Sequence, residues 1–125
     1  MTDFETEIID AHIAIENWLG KGEGELTSLL GRFRHDFRMI APTGAAFDYP
    51  ALACFFEAQR ATRQGLKIVI DQLTTIDTWS TGAVLHYRET QTLSGHPGNV
   101  RCSTAVLTRQ GDKITWRLLH ETAQG

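Results

Sequence analysis

Phe4, Ile8, Ala11, Ile15 and Leu19 recur at steps of three and four and form one apolar stripe, flanked by His12 and Trp18. That period predicts an amphipathic helix. Thr2 and Glu5 stand in front of it at capping-box spacing, and Gly20 to Gly24 ends it. Leu26, Leu29, Leu30 and Phe33 predict a second, shorter helix. From Phe33 to Ile40 the period becomes two. Phe33, His35, Phe37 and Met39 then share one face of a strand, and Arg34, Asp36 and Arg38 the other. Pro42, Thr43 and Gly44 break the strand. Asp48 is the expected N-cap of a third helix with Pro50 in its first turn, Leu52, Phe55, Phe56 and Gln59 along it, and Gly65 as its stop.

The remainder reads as sheet. Leu66 to Ile70 is apolar and β-branched, and Leu73 to Trp79 is a further strand or its continuation. Runs from Ala83 to Leu93, Val100 to Arg109 and Lys113 to Glu121 are separated by turn residues at Ser94–Gly98 and Gln110–Asp112. Strands of this length must bend to fit so small a domain. The expected fold is therefore α+β: three N-terminal helices packed on a strongly curved, mostly antiparallel sheet.

Turn geometry sets an expected register. Pairing Leu93 with Asn99 and Arg109 with Lys113 gives the rows Gln91–Arg101–Glu121, Glu89–Ser103–Leu119 and Tyr87–Ala105–Arg117. The opposite face carries His86, Arg88, Cys102, Thr104, Val106, Trp116, Leu118 and His120. Neither face is uniformly polar, and the helices can cover only one. The other is expected to meet a second subunit, making a homodimer through the sheet.

Composition narrows the classes. The chain has 125 residues, which fits one domain over 1–125, and its 42% hydrophobic and 22% charged content is that of an ordered globular protein. The net charge is −3 and no segment concentrates Lys and Arg, against nucleic-acid binding. No apolar run has membrane-spanning length. The start Met1-Thr2-Asp3-Phe4-Glu5 lacks the features of a signal peptide, so a cytoplasmic location is expected. Cys54 and Cys102 form no Cys-x-x-Cys and are expected as small buried hydrophobes in a reducing compartment.

Three segments carry a family resemblance that covers essentially the whole chain: Phe33 to Gly44, Leu52 to Phe56, and Trp116 to Thr122. Together with the element order they resemble the nuclear transport factor 2-like superfamily, in particular its SnoaL-like bacterial branch. The last strand is also similar to that of the association domain of calcium/calmodulin-dependent kinase II. That domain closes with His-x-His; here His120 is followed by Thr122, so the second histidine's role does not carry over. The resemblance implies a cone-shaped, cystatin-like α+β fold, a pocket between helices and sheet, and dimerisation through the sheet. Its members include isomerases, dehydratases, polyketide cyclases and non-catalytic binders, and it fixes no single activity.

Candidate chemistry concentrates on the odd-numbered sheet face. Arg101 is suited to an anionic or carbonyl oxygen, Glu89 or Glu121 to acid–base work, and Tyr87 to hydrogen-bond donation. The structural alternative is a buried Arg101–glutamate ion pair that fixes strand register. Trp18, His35, Phe37, Met39, Tyr49, Phe56, Gln91 and Ser103 complete the expected pocket for a small hydrophobic or aromatic ligand. His35 also reads as a satisfied core residue. His12 and Glu16, four apart, read as a helix-surface pair. His35, His86 and His120 lack metal-ligand spacing, so neither metal nor cofactor is expected. Gly20-Lys21-Gly22-Glu23-Gly24 follows a helix and lacks the phosphate-loop Gly-Lys-Ser/Thr. Trp18, Trp79 and Trp116 read as core or interface. Two function classes follow: a small-molecule pocket, with cofactor-free isomerase, dehydratase or cyclase chemistry if it is an enzyme, or a non-catalytic association module with a filled core.

Overall fold

Helix α1 (Asp3–Lys21) begins where the spacing of Thr2 and Glu5 predicts. The Thr2 hydroxyl accepts from the Glu5 amide at 3.1 Å and the Glu5 carboxylate from the Thr2 amide at 2.9 Å. Gly22, at φ 68°, closes the helix in the left-handed region that glycine tolerates. A computed structural model describes residues 1–124. After α1 come α2 (Leu26–Leu30), β1 (Phe33–Ile40), β2 (Ala46–Asp48), α3 (Tyr49–Ala58), β3 (Lys67–Trp79), β4 (Gly82–Thr92), β5 (Asn99–Gln110) and β6 (Lys113–Ala123). The six strands form one curved sheet in the order β2-β1-β6-β5-β4-β3. Every neighbouring pair is antiparallel except β1 and β6, which run parallel.

The α+β reading holds, with three helices of which α2 is a single short turn. Asp48 caps α3 as expected, its carboxylate accepting from the Ala51 amide at 3.0 Å. The helix stops at Ala58, well before Gly65, because Gln59 closes it with its amide on the Phe55 and Phe56 carbonyls. The short strand β2, which pairs back on β1, has no counterpart in the sequence pattern; three residues are too few to show a period.

Both hairpin registers differ from the expected ones. Gln91 pairs with Asn99 and Glu89 with Arg101, because the loop after Thr92 closes later than a tight turn would. In the next hairpin Ser103 faces Glu121. Between Leu107–Trp116 and Val106–Leu118 the ladder has one extra residue, Arg117. This bulge reverses the alternation of β6 and turns Trp116 inward, where it is fully buried. Trp116 is therefore core, not the outer-face residue that strict alternation gives. A larger irregularity in β1, between Phe33 and Arg38, likewise leaves His35 exposed while Phe33 and Phe37 stay buried.

The core lies between α1, α3 and the inner sheet face, built on Ile8, Phe37, Leu85, Leu107 and Trp116. The Trp116 indole donates to Glu7 at 3.0 Å, and Glu7 also accepts from Arg32 at 2.7 Å. Trp18 donates to the Phe56 carbonyl at 2.8 Å, tying α1 to α3. Cys54 and Cys102 are free and both exposed, on α3 and on the outer face of β5, contrary to the buried reading. An added Cβ at Gly82 would lie 2.6 Å from the Leu107 carbonyl oxygen and 2.9 Å from the Trp79 ring. A backbone oxygen in a ladder cannot swing away. Gly82→Ala is expected to lower unfolding free energy by about 2–3 kcal/mol, read as a reduced urea midpoint at unchanged m-value.

Candidate functional site

Four charged groups converge where the inner sheet face meets α1. His12 sits on α1 between Ile8 and Ile15, within the apolar stripe, and is buried. Its Nδ1–H donates to the Ile8 carbonyl at 2.7 Å, and Nε2 lies 3.1 Å from Glu89 Oε1. A carbonyl can only accept, so Nδ1 carries a hydrogen; a bond from Nε2 to Glu89 then needs a second proton shared within the pair. Burial opposes a charge on His12, but the hydrogen bond and negative charge of Glu89 outweigh it and raise its pKa. Burial also raises Glu89, yet the bonds from His12 and Gln91 and the charge of Arg101 overcome that and hold it down at about 2. The pair is an imidazolium–carboxylate. Gln91 Nε2 donates to the other Glu89 oxygen at 2.6 Å.

Glu121 behaves in the opposite way. Its carboxylate accepts from Arg101 Nη1 at 3.2 Å and from the Ser103 hydroxyl at 3.3 Å. Burial and the negative charge of Glu89 push its pKa up to about 7, with Arg101 only partly offsetting them. Arg101 also donates from Nη2 to Asn99 at 2.6 Å. Tyr87 is buried beside this cluster, with its ring edge-on to His12 at 5.3 Å between centroids. Burial, then Glu89 and Glu121, raise the phenol well above its ordinary value, so it stays neutral.

His12, Glu89, Gln91, Arg101 and Glu121 form the polar end of a cavity of about 300 Å³. Its walls are apolar: Ile15, Leu19, Phe37, Met39, Leu52 and Phe56 are among them. Of the expected site residues, Glu89, Gln91, Arg101, Glu121, Phe37, Met39 and Phe56 line it. Trp18, Tyr87, Ser103, His35 and Tyr49 do not. Trp18 is spent on the α1–α3 contact. Tyr87 and Ser103 lie behind the charged cluster, and Ser103 reaches the cavity only through its bond to Glu121. His35 and Tyr49 pack against each other, tilted by 55° with centroids 5.0 Å apart, because the β1 irregularity turns His35 away from the cavity. Among the described residues no cluster of His, Cys, Asp and Glu could hold a metal ion, and no helix is long and apolar enough to cross a membrane.

A crystal structure of an NTF-2-like protein of unknown function from Pseudomonas aeruginosa is 38% identical, covers 98% of each chain and superposes with a TM-score of 0.93. The chain belongs to the nuclear transport factor 2-like family. More distant solved structures agree in fold alone. A Pseudomonas putida protein of unknown function shares 18% identity over 99% of this chain and 89% of its own, with a TM-score of 0.71. A Thiobacillus denitrificans structure, provisionally named as a calcium/calmodulin-dependent protein kinase type II association domain, shares 14% over 81% of this chain and 83% of its own, with a TM-score of 0.66. No protein-family model and no curated protein matches the sequence.

In this nuclear transport factor 2-like protein the cavity residue that sequence reasoning missed is His12. Its surface pairing with Glu16 does not form: Glu16 instead accepts from the Ile68 amide at 2.7 Å, holding the edge strand. A usable signal existed, since His12 lies four residues after Ile8 and seven before Leu19, inside the stripe and not beside it.

Proposed function

We propose that this protein binds a small, mainly apolar molecule between helices and sheet and carries out cofactor-free acid–base chemistry on it, of isomerase, dehydratase or cyclase type. One observation carries the reading: two carboxylates at the polar end of an apolar cavity, Glu89 and Glu121, hold protons with affinities on opposite sides of the ordinary value. Environments that split a pair of titratable groups in this way assign acid and base roles. Glu121 is the group that exchanges a proton near neutral pH. As an acid it gives the proton to a ligand oxygen, and the carboxylate left behind keeps its bonds from Arg101 and Ser103. Glu89 stays ionised and holds His12 as an imidazolium whose two N–H groups are spent on Ile8 and Glu89, so the pair acts on Glu121 through its charges and not as a donor to the ligand. We take the protein to belong to the SnoaL-like branch and to be a homodimer through the outer sheet face, where Val106 and Leu118 are half-buried in a single chain.

The second reading is a non-catalytic association module. Val69, Ile76 and Trp79 favour it, being 56%, 52% and 45% exposed along β3 at the sheet edge. Native mass spectrometry of protein purified from its own host separates the two. A dimer of the 14.0 kDa chain with a retained small molecule, lost in a cavity-filling Leu52→Trp variant, is the expected result. A larger assembly with no retained molecule would favour association, and a bare monomer would remove the dimer from both.

A further inference from the structure

The charges around the cavity do not balance at one point. His12 is paired with Glu89, and Arg101 with Glu121. Arg63 also lines the cavity, and no acidic side chain pairs with it among the described residues. It is held in place none the less. Its amide donates to the Leu19 carbonyl at 2.9 Å, its carbonyl accepts from Leu66 at 3.0 Å, and its guanidinium lies 5.6 Å over the Phe55 ring. Phe55 is the one exposed residue among those lining the cavity, which puts this pair at the mouth. At the floor, by contrast, both cations already donate to a buried carboxyl group, His12 to Glu89 and Arg101 to Glu121.

We infer that the ligand is an amphipathic organic acid, an apolar body whose carboxylate lies at the mouth on Arg63 and whose uncharged, reacting end faces Glu121. This rests on the ligand-pocket reading above and adds the ligand's charge and direction. The guanidinium is planar and matches a carboxylate with two parallel N–H donors. Phe55 beneath it keeps that plane fixed and offers a flat apolar surface to the first carbons of the ligand body. Orientation follows from the electrostatics: an acid entering tail-first places its anion on the free cation and its far end among the proton-exchanging groups.

The test is a titration followed by NMR at two reporters in the cavity wall, the Trp116 indole N–H and the Gln91 side-chain amide. The probes are 3-phenylpropanoate, 2-naphthylacetate and octanoate, each against its own primary amide. The acids are expected to bind roughly ten-fold or more tighter than the amides. Arg63→Met, which keeps an unbranched side chain without the charge, is expected to erase that preference while leaving amide binding and the melting temperature unchanged. Arg63→Lys should restore part of it, and high salt should weaken the acids alone. Equal binding of acids and amides to the unmodified protein, or an equal loss of both in Arg63→Met, overturns the inference and leaves the pocket reading standing. Silence of both reporters toward every probe overturns the pocket reading, and the inference with it.

Discussion

Replacing His12 by leucine is expected to destabilise the protein by about 3–5 kcal/mol at pH 7. The cost does not come from the lost imidazole itself. It comes from Glu89, which is buried with one oxygen on His12 and the other on Gln91, and which would be left as a buried anion short of its main counter-charge. Glu89→Met in the same chain removes that anion, so the double variant His12→Leu/Glu89→Met is expected to recover most of the loss. Chemical denaturation of the two single variants and the double one forms a complete cycle. The cycle also separates a site from a strut. A coupling below about 1 kcal/mol would mean that the pair is neither strongly charged nor shielded from water, which would undo the acid–base assignment built on it.

The second large effect is a stability profile tilted toward acid. Glu121 keeps its proton up to about 7 in the folded protein but loses it near 4.5 when unfolded. Between those values the folded state holds the extra proton, so unfolding free energy falls as pH rises. The interval corresponds to about 3 kcal/mol, at about 1.4 kcal/mol per pH unit. His12 adds to the slope in the same direction: raised above 6.5 by Glu89, its contribution is complete below 6.5 and disappears as pH climbs through its folded value. Glu89, held at about 2, works the other way, and its contribution is lost only as pH falls from 4.5 toward 2. The cluster is thus most stabilising near pH 5. Tyr87, which faces it from β4, stays neutral over this range. Glu121→Gln keeps an acceptor for Arg101 but has no proton to lose. It should flatten the part of the slope between pH 5 and 7 and be more stable than the unmodified protein at pH 8.5. Melting curves at half-unit pH steps provide the check; parallel curves for the two proteins would place the titration elsewhere.

Elements whose signals are local were legible in the sequence. The capping box at Thr2 and Glu5, the limits of β1 and the cap at Asp48 all depend on residues within a turn or two of each other. So did the common face of Glu89, Arg101 and Glu121, since parity survives a register error of two. What failed was non-local. Trp116 and His35 were misplaced by irregularities in the ladder, each the product of pairing between strands distant in the chain. His12 was misplaced because its partner lies 77 residues away, while a nearer carboxylate, Glu16, gave a sufficient local reason for it. The exposed cysteines show the limit of composition: a residue type usually buried says nothing about which face of α3 or β5 it occupies.

The parallel pairing of β1 with β6 joins two segments that lie far apart in the chain. Phe33 pairs with Trp116 across that gap, so the sheet cannot close through local hairpins alone. A topology of this kind folds slowly for its size, because loop closure must precede the contacts that reward it. The strand that joins the two halves is also the one that brings Glu121. The wall of the cavity and the placing of Glu121 therefore depend on the same long-range pairing.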